Sequence, residues 1–180
     1  MHSAAPQADR VFTTISSPVG DLLLTSDGVA LTGLYPATHR DIPAVDQLAR
    51  DDAWFTGVKD QLQAFFKGKL FDFAVDLAPR GTEFQQAVWA QLRNIPLGVT
   101  RTYAELALAI GRPTAARAVG AAVGKNPISF IVPCHRVIGT TGALTGYAGG
   151  LPLKRWLLDH EAHLAPTWSA ALPVDALLPR

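Results

Sequence analysis

The sequence predicts an α/β (α+β) protein built in two parts, strands first and helices after. Three observations carry that prediction. Short apolar runs separated by turn signals fill residues 11–36, the pattern turns helical after Ala78-Pro79-Arg80-Gly81, and the charge changes sign at the same point. Residues 1–78 hold six Lys/Arg against ten Asp/Glu, a net −4, whereas residues 79–165 hold nine against four, a net +5. The expected organisation is an N-terminal α/β domain over 1–78 with its first roughly ten residues loose. A C-terminal helix-turn-helix domain over 79–165 and a tail over 166–180 follow.

In the first part, "VFTTISS" and "DLLLTSDG" flank Pro18-Val19-Gly20, and "VALTGLYP" follows Asp27-Gly28, which reads as hairpin-linked strands. Trp54, Phe55, Val58, Leu62, Phe65 and Phe66 recur at helical spacing, and Gly68 stops the helix. Phe71, Phe73 and Val75 alternate, so "LFDFAVDL" reads as a further strand. The acids Asp41, Asp46, Asp51 and Asp52 read as a solvated face and not as a metal site.

In the second part, Thr82 and Gln85 stand in capping-box spacing ahead of Phe84, Val88, Trp89 and Leu92. Thr102 and Glu105 repeat the device before a stop at Gly111. A third helix is expected to open at Pro113, which suits a first turn, and to end by Asn126-Pro127. Two short helices around Gly111 have the form of a helix-turn-helix. The second of them is built from Ala and Gly with Arg117 as its one long side chain. Such a helix either packs closely on another helix or lies close to a nucleic-acid backbone, and the basic charge of this half favours DNA.

The composition, 48% hydrophobic and 17% charged, is that of a globular chain with a core and excludes a disordered one. "MHSAAPQADR" contains no apolar signal segment, and no stretch approaches the ~18 apolar residues of a membrane span. Cys134 is the single cysteine of the 180 residues, so no internal disulfide forms. The expected location is cytoplasmic, without membrane attachment.

A lone cysteine is most often a small buried hydrophobe. Three features of "ISFIVPCHRVIG" point elsewhere. Pro133 ends or bends the strand at the cysteine. His135 and Arg136 follow at once, and cations lower a thiol's pKa. Residues 139–150, "GTTGALTGYAGG", form a small-residue loop of the kind that closes over a ligand. Together they suggest a nucleophile. In an extended segment Cys134 and His135 face opposite sides, so the imidazole is expected to act through a water, oriented by Glu161 of "LLDHEAH". His160 and His163 are expected at the surface, and no metal is expected.

"NPISFIVPCHRVIG", with "TGYAGG" and "KRWLLDHE" downstream, resembles the O6-alkylguanine-DNA alkyltransferases (methylated-DNA–protein-cysteine methyltransferases), strongly over residues 81–161 and weakly over 1–78. The resemblance implies a ribonuclease-H-like N-terminal domain and a winged-helix-like C-terminal domain that needs no cofactor. It implies a monomer that binds double-stranded DNA by the minor groove and flips out O6-alkylguanine, with O4-alkylthymine as a further substrate. The alkyl group then passes irreversibly to Cys134. His135 becomes the water-mediated base, Glu161 its orienting acid and Asn126 the brace of the cysteine turn. Tyr103 assists flipping and hydrogen-bonds the base at N3.

Arg117 takes the base's place in the stack, and the small residues beside it, Thr114 and Ala115, lie on the DNA. Arg101 and Lys125, with Arg93 and Arg112, are candidates for phosphate contact. Val137, Tyr147, Ala148 and Gly149 line the alkylguanine pocket. Ala148 departs from relatives with serine there, which removes one side-chain contact. Some relatives carry a structural zinc or a zinc-binding regulatory domain, and a chain with one cysteine predicts neither. The alternatives are a non-catalytic sensor of alkylated DNA, against which Cys134 argues, and a cysteine hydrolase, which would need an oxyanion hole. A helix-turn-helix regulator is disfavoured by the bare second helix, which offers few side chains for reading bases.

Overall fold

The computed structural model describes residues 9–171, with side chains through residue 165. The expectation of a loose N-terminal segment falls, for residues 1–8, outside the described residues. Strands β1 (Val11–Ser17), β2 (Gly20–Ser26) and β3 (Leu31–Pro36) form an antiparallel meander with β2 in the middle. Gly20 adopts φ 99°, a conformation costly for other residues, and this closes the tight Pro18-Val19 turn. Leu22 and Leu24 of β2 are fully buried in the core. A two-residue strand, β4 (Ala49–Arg50), adds in parallel to the free edge of β1, giving the order β3-β2-β1-β4. Two residues carry no alternation to read, so this strand is not foreseen from sequence.

Helix α1 (Thr56–Phe66) buries Val58, Leu62 and Phe65. It starts after Trp54 and Phe55 because the Asp51 carboxylate accepts the Ala53 and Trp54 N–H groups at 3.1 and 3.0 Å and holds a turn there. Gly68 at φ 68° ends the helix, with Lys69 N–H donating back to the Ala64 carbonyl at 2.8 Å. The strand expected over 70–77 does not form. Gln61 of α1 instead accepts the Ala74 N–H at 2.8 Å and donates to its carbonyl at 3.0 Å, standing in for a neighbouring strand. Only a single bridge, Leu31 to Leu77, ties this segment to β3.

The second half contains α2 (Glu83–Arg93), α3 (Tyr103–Ala109), α4 (Ala116–Val123) and the long α5 (Leu151–Ala171). Both capping boxes form as the spacing predicts, Thr82 with Gln85 and Thr102 with Glu105. The start of α4 lies three residues later than expected. Pro113 sits instead at the second position of a turn in which Ala115 N–H donates to the Arg112 carbonyl at 2.9 Å, a place that suits its fixed φ. Val119, Ala122 and Val123 of α4 are buried, and Trp89 of α2 donates its indole N–H to the Ala122 carbonyl at 2.9 Å. The bare helix therefore does pack closely on its neighbour, while Thr114, Arg117, Ala118, Ala121 and Lys125 remain exposed on the opposite stripe. Helix α5 runs six residues past 165, and residues 172–180 lie outside those described.

Of the junctions between the halves, two position the cysteine segment and α5. The first continues the sheet, for Leu34 N–H donates to the Pro127 carbonyl at 2.8 Å and Ser129 N–H to the Leu34 carbonyl at 2.9 Å. The segment leading to Cys134 is thus hung on the edge of β3. The second is aromatic. His160, expected at the surface, stacks on Trp156 with ring centroids 4.9 Å apart and hydrogen-bonds the Phe65 carbonyl at 2.9 Å. Its side chain is half-buried because α5 lies across the end of α1. Among the described residues no helix is long and apolar enough to cross a membrane.

Phe65, 1% exposed, packs on Phe66, Phe73 and His160 across the second junction. Phe65→Ala is expected to destabilise the protein by about 3 kcal/mol, measured as a lower midpoint of urea unfolding with an unchanged slope.

Candidate active site

The cysteine segment is not a strand. Pro133 has φ −81° and ψ 64°, and Cys134 N–H donates to the Val132 carbonyl at 2.8 Å, which is an inverse γ-turn. Proline's ring favours that φ, so the residue that forbids a ladder bond also makes the bend. A single 3-10 turn, Cys134–Arg136, follows. Phe130, buried just upstream, has φ 68°, a strained value for a residue with a Cβ. Cys134 and His135 therefore do not face opposite sides of an extended chain as expected, because the backbone there is helical.

Asn126, 2% exposed, holds this turn from inside. Its Nδ2 donates to the Val132 carbonyl at 2.8 Å and to the Cys134 sulfur at 3.0 Å, while its Oδ1 accepts the Ile128 N–H at 3.1 Å. Cys134 is 4% exposed, and burial pushes its thiol above the ordinary cysteine value. The Asn126 hydrogen bond and the positive charge of Lys154 act in the opposite direction. The sequence-based expectation that His135 and Arg136 lower this pKa is not met. Burial holds His135 below its usual value and hence neutral, and the Arg136 guanidinium is turned to Glu161.

Glu161, 1% exposed on α5, gathers donors from two segments. Its Oε1 meets His135 Nε2 at 2.8 Å and Arg136 Nη2 at 2.8 Å, and its Oε2 accepts from Arg136 Nε at 2.8 Å and from Gly98 N–H at 3.4 Å. Burial would raise the Glu161 carboxyl, but His135 and then Arg136 outweigh it and hold the group at about 2. A carboxylate only accepts, so His135 Nε2 carries the hydrogen and Nδ1 carries the lone pair. That Nδ1 is buried and has no partner among the described residues. The arrangement is that of a neutral, oriented base.

Two participants were not recognised from sequence. Arg136 forks onto Glu161 and onto the Ile95 carbonyl. Lys154, fully buried, donates to the carbonyls of Val137 at 2.6 Å and Thr145 at 2.9 Å, and burial lowers it to about 8. The available signal was the spacing of Lys154, Leu157 and Glu161, which puts all three on one buried face of α5.

The Val137 carbonyl, expected on the pocket wall, is thus engaged by Lys154. Tyr103 lies against Gly120 of α4 and donates its hydroxyl to the Thr145 carbonyl at 3.1 Å. Burial raises its pKa, as it does more strongly for Tyr147, so both phenols stay protonated. Ala148 and Gly149 are buried beside Tyr147, near the cysteine turn. Arg117, Thr114, Ala115 and Arg101 lie outside this cluster, on or next to the exposed stripe of α4 and on β5 (Arg101–Thr102), which pairs in parallel with β6 (Val137–Ile138). Lys125 is paired with Asp41 at 3.2 Å. Arg93 faces another way, lining a cleft of ≈450 Å³ behind the cysteine turn with Asp72, Phe73 and Arg136.

Two domain families match the chain: 6-O-methylguanine DNA methyltransferase, ribonuclease-like domain, over residues 11–79, and 6-O-methylguanine DNA methyltransferase, DNA binding domain, over residues 83–163. The chain belongs to this family. The methylated-DNA–protein-cysteine methyltransferase of Mycobacterium tuberculosis is 51% identical over 155 residues, covering 86% of this chain and 94% of that protein. The protein of the same name from Methanosarcina acetivorans is 47% identical over 151 residues, covering 83% and 97%. The crystal structure of Mycobacterium tuberculosis OGT in complex with DNA matches with a TM-score of 0.82 and 49% identity, over 86% of this chain and 94% of that one. Family membership and the fold agree with the two-part α/β reading of the sequence.

The depressed Glu161 pKa fixes a pH dependence. Its folded value, about 2, lies below the ordinary 4.5, so the stabilisation is complete above 4.5 and is lost as pH falls toward 2. Wild-type stability should therefore decline across that window more steeply than that of Glu161→Gln. The variant itself should be less stable at pH 7 by about 3 kcal/mol, since Arg136 is left buried without its anion. Urea midpoints from pH 2 to 7 for both proteins check both statements.

Proposed function

We propose that this protein repairs alkylated DNA by moving the alkyl group of O6-alkylguanine onto Cys134, as a methylated-DNA–protein-cysteine methyltransferase in the cytoplasm. The observation that carries the reading is a single buried thiol, hydrogen-bonded by Asn126 and set one residue from a neutral histidine that Glu161 orients. The Cys134 proton passes through a water to His135 Nδ1, and Glu161 stabilises the imidazolium that forms. The sulfur attacks the alkyl carbon in line, the carbon–O6 bond breaks, and its electron pair returns to the guanine, which takes up a proton. Tyr103, turning its hydroxyl hydrogen from the Thr145 carbonyl, supplies a hydrogen bond at N3 of the base, which eases its departure. The product is a thioether, which this site has no means of cleaving, so each molecule acts once.

A guanine within the duplex is out of reach of a buried sulfur. The base must rotate into the space bounded by Val137 and Tyr147 to Gly149, at a cost of a few kcal/mol for unstacking. Arg117, the one long side chain within α4, fills the gap in the stack. The small residues beside it, Thr114 and Ala115, allow the helix close to the minor groove, and Arg101 and Lys125 contact phosphates. The same pocket would take O4-alkylthymine. The protein acts as a monomer.

Intact-protein mass spectrometry after incubation with a duplex containing one O6-methylguanine tests the reading. Wild type should gain one methyl group, mapped to Cys134 and saturating at one per molecule, while Cys134→Ala binds the same duplex and gains none. Methyl transfer to the variant would overturn the mechanism. Arg117→Ala should slow transfer from duplex at least tenfold, the loss of about 1.4 kcal/mol of flipping assistance, and leave reaction with free O6-benzylguanine unchanged. Equal slowing of both would remove Arg117 from the stack-filling role.

A further inference from the structure

The loop after β3, residues 37–41, connects the N-terminal domain to both working parts of the C-terminal one. Thr38 Oγ1 donates to the Gly149 carbonyl at 2.7 Å, and the Arg40 backbone N–H donates to the Ala148 carbonyl at 3.1 Å. The Arg40 guanidinium reaches the Gly124 carbonyl, 3.3 Å away at the end of α4, and Asp41 accepts from Lys125 next to it at 3.2 Å. His39, buried between them, accepts the Asp41 N–H on Nδ1 at 3.1 Å and packs edge-on against Tyr35. One short loop thus holds the 148–149 backbone on one side and the end of the exposed helix on the other.

The direction of the hold matters. A Cβ on Gly149 would fall 2.9 Å from both Leu153 Cδ2 and Tyr147 Cε1, so on that side the wall is already in contact with its neighbours. The Thr38 and Arg40 hydrogen bonds tie the 148–149 backbone to the loop after β3, so movement of this backbone away from that loop requires breaking them. We propose that Thr38–Asp41 is a specificity-determining brace, in which Thr38 and Arg40 fix the carbonyls of Gly149 and Ala148 and so set the width of the alkyl pocket. The inference rests on the reading of Cys134 as alkyl acceptor and of residues 147–149 as pocket wall. Thr38 is a positioning residue and does not touch the reacting atoms. A narrow, fixed wall favours a methyl group, whereas a wall released outward penalises methyl transfer and tolerates a benzyl group.

The test compares full-length wild type, Thr38→Val and Thr38→Ser in single-turnover transfer from duplexes carrying O6-methylguanine or O6-benzylguanine. Removing one hydrogen bond from a two-state wall shifts it about fivefold. In Thr38→Val the ratio of benzyl to methyl rates should rise about fivefold at an unchanged melting temperature, and Thr38→Ser should restore the wild-type ratio. Rates that fall together, or that do not change, would overturn the brace, since a merely structural role moves both alike. Should Thr38→Val melt below the assay temperature, amide exchange in the cold decides. Faster exchange confined to residues 143–153 supports the brace, and uniform exchange overturns it. A wild-type protein that takes up neither group overturns the proposed function, and the inference with it.

Discussion

A carboxylate withdrawn from water loses several kcal/mol of hydration unless donors replace it. Glu161 is almost wholly withdrawn, and His135, Arg136 and Gly98 replace its solvent from the two turns that α5 crosses. The positions of those turns are therefore tied to one anion. Gly98 has φ 73°, and a Cβ there would come within 2.7 Å of Ala165 Cβ, so the close approach that brings its N–H to Glu161 depends on glycine. Arg136 balances the charge, burial keeps His135 neutral, and the His135 Nδ1 is left without a hydrogen-bond partner among the described residues.

This electrostatic arrangement governs the thiol as well. Burial keeps Cys134 protonated, and the two largest influences that oppose burial, Asn126 and Lys154, are held in place by bonds of their own. The site at rest is a thiol beside a neutral base, with no standing thiolate exposed to oxidants. In the proposed reaction the proton leaves only as the substrate arrives, and the charge that develops on sulfur is opposite in sign to that of Lys154.

The N-terminal domain contributes no group to this cluster, yet it bears on its geometry. The edge of β3 hydrogen-bonds residues 127 and 129, five and three positions from the Val132–Cys134 bend, and the loop after β3 reaches Ala148, Gly149 and Gly124. An acidic domain of this kind, net −4, does not attract DNA by itself. Its role in the structure is to support the cysteine turn and the pocket loop, while the basic half presents the stripe of α4.

The sequence by itself determined the two-part α/β organisation, both capping boxes, the α3–α4 pair and the grouping of Cys134, His135 and Glu161. These signals are local, or, for Cys134, rest on a residue type used once in 180. The structure decided what depends on contacts distant in sequence. Gln61 displaced the expected strand at Phe71–Val75, the inverse γ-turn at Pro133 replaced the strand before Cys134, and α4 began after Pro113 because Arg112–Ala115 formed a turn. The cations next to Cys134 in sequence are not the ones that act on it. Chain neighbours on a helical turn diverge, so Arg136 turned to Glu161, and Lys154, twenty positions away, supplied the charge. Which groups share a low-dielectric interior, and hence which pKa values move, is a property of the packed chain and not of any stretch of it.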